Sequence, residues 1–261
     1  MTLVAHELRC NIKSLLIWSL SVGGMLFVFM LMFPSMKDSM VELSGAYAQM
    51  GSFSTAFGMD KLDFSTAIGF YGVEAGAVIA LGGAMFAALI GTGMLAKEEG
   101  NHTTEFLYVT PNTRSNLMIR KLVAMVVIVL IFDAICYLCS VLGFVMVDEV
   151  PWKDISLFHL AQTIMHLQVS CICFGISAFL RKSNVGLGIG IAMLLYFVNI
   201  FANITEDVKW LHNVSPFYYC DGAQVLVKHG IEGRYVAIGV VMAIVAVVIA
   251  FVKYNKKDLN I

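Results

Sequence analysis

Leu15-Leu-Ile-Trp-Ser-Leu-Ser-Val-Gly-Gly-Met-Leu-Phe-Val-Phe-Met-Leu-Met-Phe33 contains no charged side chain. At helical rise this run is about 28 Å long, close to the ~30 Å hydrocarbon thickness of a bilayer. It exceeds the apolar core of a secretory signal and no small-residue cleavage pattern follows, so it reads as a retained membrane span. Pro34, directly after it, is expected to close the helix.

Working outward, five more apolar runs follow at 69–96, 117–147, 157–180, 185–204 and 235–252. Apolar residues make up 59% of the chain and charged residues 13%, against about 45–50% and 25% in soluble domains. So little polar surface cannot cover a globule in water. The expected fold class is therefore all-α integral membrane, a single transmembrane domain over 1–261 with six transmembrane helices. The net charge of −1 argues against a nucleic-acid partner, because neutralising phosphates takes clustered Lys and Arg.

Residues 1–13 place Val4, Leu8 and Ile12 at helical spacing with Glu7, Arg9 and Lys13 on other faces, the pattern of an amphipathic interfacial helix. Residues 37–65 are expected as an external loop. Residues 205–234 are expected as an external hairpin, carrying Trp210, Pro216, Phe217, Tyr218 and Tyr219, residues suited to a membrane interface. With the N-terminus inside, eleven Lys and Arg fall on the cytoplasmic side and six outside. Both termini are thus expected in the cytoplasm.

Neither a phosphate loop, a His-Glu-x-x-His pair nor a Gly-x-Ser-x-Gly elbow occurs, so no catalytic residue is assigned. Cys136 and Cys139 have the spacing of a redox pair but lie mid-span without flanking charge, and read as packing residues. Gly72, Gly76, Ala80, Gly83, Ala84 and Ala87 form a small-residue stripe on the second span. Such a stripe lets helix backbones approach closely in lipid, either within one subunit or at a dimer interface. Asp133 falls about twelve residues into the third span, a depth at which a carboxylate needs a partner or water. His166 and Gln162, on the next span, are the expected partners. Glu74 lies nearer the outer end of its span and is expected to be solvated. The external segments hold more acid than base, which would attract cationic cargo or simply reflect depletion of Lys and Arg.

The most polar cytoplasmic segment is 97–116, which contains Glu99-Gly100-Asn101-His102-Thr103-Thr104-Glu105-Phe106-Leu107 and then Pro111 and Arg114, followed by Lys121. Gly100 can end the second helix, Thr103 or Thr104 can cap a short new one, and Pro111 stops it. This order of residues resembles the first cytoplasmic loop of the permease subunits of ABC-2 type ATP-binding cassette transporters, with Asn101-His102-Thr103 as a departure in spacing. The resemblance implies an ABC-2 (type V exporter-like) permease fold. It also implies that Glu99, Gly100, Thr104, Glu105, Phe106, Leu107, Pro111 and Arg114 belong to a coupling segment that docks on a separate nucleotide-binding ATPase subunit. On that reading this chain binds no cofactor, ATP and Mg2+ belong to the partner, and a second permease chain, identical or homologous, completes the unit. The expected function is ATP-driven efflux of an amphiphilic substrate, such as an antimicrobial peptide, an antibiotic or a lipid-linked molecule, across the cell membrane. Two other readings compete: an ATP-independent secondary transporter or channel with Asp133 as its ion or proton site, and a membrane-embedded enzyme holding metal on His159, His166 and Asp133. The latter spacings match no zinc pattern.

Overall fold

The computed structural model describes residues 2–49, 51–100 and 113–257. Among the described residues, six helices are long and apolar enough to cross a membrane: α1 (Thr2–Gln49), α2 (Ala67–Gly93), α3 (Arg114–Met146), α4 (Trp152–Ser177), α5 (Val185–Ile204) and α6 (Gly233–Lys256). There is no strand among the described residues. The all-α membrane architecture expected from the sequence is what the chain adopts.

Two expectations about the first span need correcting. Residues 1–13 are not a separate surface helix, and Pro34 does not end the span: α1 runs unbroken from Thr2 to Gln49 with Pro34 inside it. The reason is one continuous packing stripe. Leu15, Val22, Leu26, Met30, Phe33 and Met40 are all buried, at spacings that keep them on one helix face. Glu7 extends that stripe toward the N-terminus and is equally buried. Beside the proline, Ser35 Oγ donates to the Met32 carbonyl at 2.8 Å. Contact with α3 is close: a Cβ on Gly143 would meet Met30 Cβ at 2.7 Å, and one on Gly23 would meet Cys139 Sγ at 3.1 Å.

The remaining helices begin at caps that the sequence supplies. Thr66 Oγ1 accepts from the Gly69 amide, Thr113 from Asn116 and the Asn184 side chain from Leu187, each satisfying an amide that the first helical turn leaves unpaired. Within α2, residues Tyr71–Ala75 form a π-helical turn. The 205–234 region is built from two 3-10 turns, Glu206–Asn213 and Tyr218–Cys220, and a short helix, Gly222–Lys228. It is stitched to α4, where Gln162 Nε2 donates to the Cys220 carbonyl at 2.9 Å and Tyr219 donates to Gln168.

Part of the small-residue stripe of α2 packs against α4. A Cβ on Gly91 would stand 2.5 Å from the Ser170 carbonyl, one on Gly83 would stand 2.2 Å from the His166 ring, and one on Gly76 would stand 3.4 Å from Phe158. Ala80, Ala84 and Ala87 are buried in the same core. By contrast α6 turns Val241, Ile244, Val245, Val248 and Val252 outward.

Gly91→Val is expected to lower thermal stability in detergent, at a cost of about 1–3 kcal/mol, because backbone of α4 must move to admit it. Gly190→Ala, at a position with nothing within 4 Å, is expected to be neutral or to stabilise by up to about 1 kcal/mol, the helix-propensity gain. A melting curve of each variant reads the contrast.

Candidate functional site

The start of α1, the end of α6 and the two ends of the 97–116 segment meet at one end of the bundle, and there six charged side chains, Glu7, Lys97, Glu98, Glu99, Lys121 and Lys257, form a largely buried lattice. Lys121, on the first turns of α3, has no exposed surface. Its ammonium donates to the Met94 carbonyl at 2.7 Å, pairs with Glu98 and lies 3.3 Å from Glu7 Oε1. The other Glu7 oxygen takes Lys97. Three donors on an ammonium are thereby matched to three oxygens, the condition under which a buried charge is tolerated.

A second pair continues the lattice. Glu99 is only 6% exposed and binds Lys257 Nζ at 2.6 Å; the same nitrogen donates to the Leu180 carbonyl at 2.6 Å. Arg114 Nη1 donates to the carbonyls of Lys257 at 2.7 Å and Tyr254 at 3.4 Å. Its guanidinium therefore caps the C-terminal end of α6, where the helix dipole favours a cation. Through these contacts the base of the segment is tied to α1, α2, α3, α6 and the turn after α4. Gly100 packs on the Arg181-Lys182 turn, where a Cβ would meet Lys182 Cβ at 2.9 Å.

Of the residues expected in the coupling segment, Glu99, Gly100 and Arg114 are thus brought together at its base. Glu99 and Arg114 are engaged with the C-terminal end of α6 rather than turned outward. Thr104, Glu105, Phe106, Leu107 and Pro111 lie outside the described residues. In the sequence Lys97 and Lys257 stand out only as cytoplasmic charges, Lys121 as one of those and as the close of the loop pattern, and Glu7 as part of the polar side of a surface helix. The signal available was that Glu7 stands eight residues before Leu15, in register with the apolar face that begins there.

Inside the membrane region, His166 Nδ1 lies 2.7 Å from Asp133 Oδ1 and His166 Nε2 lies 3.2 Å from the Ile79 carbonyl. Both ring nitrogens face oxygen acceptors in a fully buried site. Gln162 does not join them, since its amide is committed to Cys220. The trio considered for a metal is split: His159 Nε2 is 2.9 Å from the Tyr71 hydroxyl, which also meets Ser140 at 2.6 Å.

Lys121→Met is expected to destabilise the protein by about 3–5 kcal/mol, because it strands buried carboxylates without their counter-charge. The double variant Glu7→Gln/Lys121→Met is expected to recover part of that loss. Thermal unfolding in detergent reads both, and additive losses would contradict the lattice.

Comparison with known proteins agrees with this layout. No curated protein matches the chain. A family model described as ABC-2 family transporter protein matches residues 1–259, which is nearly the whole sequence and includes every element of the lattice. The chain therefore belongs to the ABC-2 transporter family, as a multi-pass membrane permease subunit of an ABC transporter.

Proposed function

We propose that this permease subunit is the membrane half of an ATP-driven exporter whose motor is a separate nucleotide-binding ATPase chain holding ATP and Mg2+. The observation that carries the reading is the rooting of both ends of the 97–116 segment: its first residues in ion pairs, Lys97 with Glu7, Glu98 with Lys121 and Glu99 with Lys257, and its last turn through Arg114 on the carbonyls of Tyr254 and Lys257. A push on a segment anchored in this way moves packed helices as rigid bodies instead of being absorbed by a slack loop. The segment is then the docking handle, presenting Thr104, Glu105, Phe106, Leu107 and Pro111 to the ATPase from the cytoplasmic face of the cell membrane, with both termini on that face. Two permease chains, identical or homologous, and two ATPases make the working unit. The cargo is an amphiphile such as an antimicrobial peptide, an antibiotic or a lipid-linked molecule.

The combined variant Glu105→Lys/Phe106→Ala is expected to abolish co-purification of the ATPase from native membrane and to remove the permease's stimulation of ATP hydrolysis. Intact binding and stimulation would overturn the docking assignment.

A secondary transporter working through Asp133 is favoured by one observation, the second carboxylate oxygen of Asp133, which is buried without a partner among the described residues. The two readings part on a single measurement. Under ATP-driven export, Asp133→Asn retains transport to within a few-fold, and dissipating ion gradients leaves the rate unchanged. Under the secondary-transport reading both treatments abolish it.

A further inference from the structure

At the end of the bundle opposite the ionic lattice, a cavity of about 300 Å³ opens between α2, α5 and the 217–222 turn. Its walls are mainly apolar, with the aromatic side chains Phe53, Phe57, Tyr196 and Phe217 among small residues such as Gly76 and Ala77. Three polar side chains join them: Glu74, Asn199 and Asp221. The size falls at the lower end of the range for small-molecule sites, and an apolar lining with a few convergent polar groups is their usual chemistry.

Glu74 was expected to be solvated, yet it is half-buried in the cavity wall. It belongs to the π-helical turn Tyr71–Ala75, whose wider winding changes the direction of its side chains relative to the rest of α2. Single π turns of this kind recur at functional sites. The turn is held from behind by backbone contact: a Cβ on Gly222 would stand 2.3 Å from the Gly72 carbonyl, and one on Gly72 would stand 2.6 Å from Leu226. Neither glycine leaves room for the turn to relax.

The charges in the cavity are unequal in availability. Asp221 is occupied, since its Oδ1 accepts from the Ala223 amide at 2.9 Å. Burial raises its carboxyl above the ordinary aspartate value, while that amide and the nearby Lys61 ammonium pull it down. Glu74 makes no hydrogen bond or ion pair among the described residues. Asn199, on α5, is 4% exposed, and its side-chain oxygen is buried without a partner. A carboxylate about 10 Å along a membrane helix and an orphaned carbonyl are both costly to keep unless something fills them.

We propose that this cavity binds a lipophilic organic monocation, with Glu74 as its counter-charge, the Asn199 oxygen as a further acceptor and the aromatic rings around its apolar body. A metal ion is a poor fit, because hard cations need six or more oxygen ligands and the acidic and amide side chains of this lining are only Glu74, Asn199 and Asp221. The four aromatic rings suit a diffuse organic cation through its attraction to the π quadrupole. An anion would face the two carboxylates of Glu74 and Asp221 with no cationic side chain in the lining. That the ligand is cargo rests on the exporter reading; that it binds does not, so the two fail separately.

The full chain in phosphatidylglycerol nanodiscs is titrated with radiolabelled tetraphenylphosphonium, and retention by empty discs is subtracted. Saturable one-site binding is expected. Glu74→Gln is expected to weaken it at least tenfold, Glu74→Asp to keep it within a few-fold, and Ala77→Phe, which fills the cavity, to remove it. Tetraphenylborate, of the same shape and opposite charge, is expected to show no saturable component. Adding phosphatidylethanolamine separates the two sources of such a cation: competition assigns the site to ammonium headgroups, and no competition assigns it to free cations, the monocation chemistry standing in both. Equal affinity of the wild type and a correctly assembled Glu74→Gln, or saturable tetraphenylborate binding removed by Ala77→Phe, would overturn the assignment.

Discussion

One ammonium group at the base of the bundle carries more constraint than any other side chain. Lys121 is surrounded by Met94, Glu98 and Glu7 and has no contact with solvent. A charge held this way has a steep energy surface: shifting any helix that contributes an oxygen leaves an ion unpaired in a medium that screens poorly. Apolar contacts in a membrane protein supply no comparable restoring force between helices, because lipid tails are as good a neighbour as another side chain. The base is therefore stiff where the rest of the bundle depends on shape alone, and this is the place from which a motor subunit could move several helices together.

Shape does the work elsewhere. α2 meets α4 through Gly76, Gly83 and Gly91, so the two backbones lie close enough for the His166 ring to occupy the space that a side chain on residue 83 would take. The buried Asp133–His166 contact depends on that missing side chain. Polar and steric devices are coupled at this point: the glycine makes room for the ring, and the ring neutralises the cost of the carboxylate at that depth.

Much of the architecture was legible in the sequence because its cause is local. Runs such as Leu15–Phe33 carry no charge, while the 97–116 stretch gathers Lys97, Glu98, Glu99, Glu105 and Arg114, so spans and connector could be told apart by composition alone. The continuity of α1 was not legible, since a proline and an amphipathic start both suggest breaks in an isolated peptide. It takes the facing surface of α3, with Gly143 against Met30, to keep the helix intact. The lattice was hidden for a different reason. Glu7 and Lys97 are 90 residues apart, and Glu99 and Lys257 are 158 apart, and nothing in a single sequence says which distant opposite charges meet. The π turn that presents Glu74 was hidden as well, because it leaves no mark on residue spacing, and the Gly222 it packs against is 150 residues away.

The unbroken α1 has a mechanical meaning. Forty-eight residues of helix make a rod of roughly 70 Å, more than twice the thickness of bilayer hydrocarbon. Its first turns are clamped by Glu7 in the lattice, and its far end leads directly into Phe53 and Phe57 on the wall of the opposite cavity. A tilt of about 5° at the clamped end would sweep the other end through roughly 6 Å, given the length that helical rise imposes. Such a lever arm would turn small displacements on one side of the membrane into a change of cavity shape on the other, with no signal passed from residue to residue through the core.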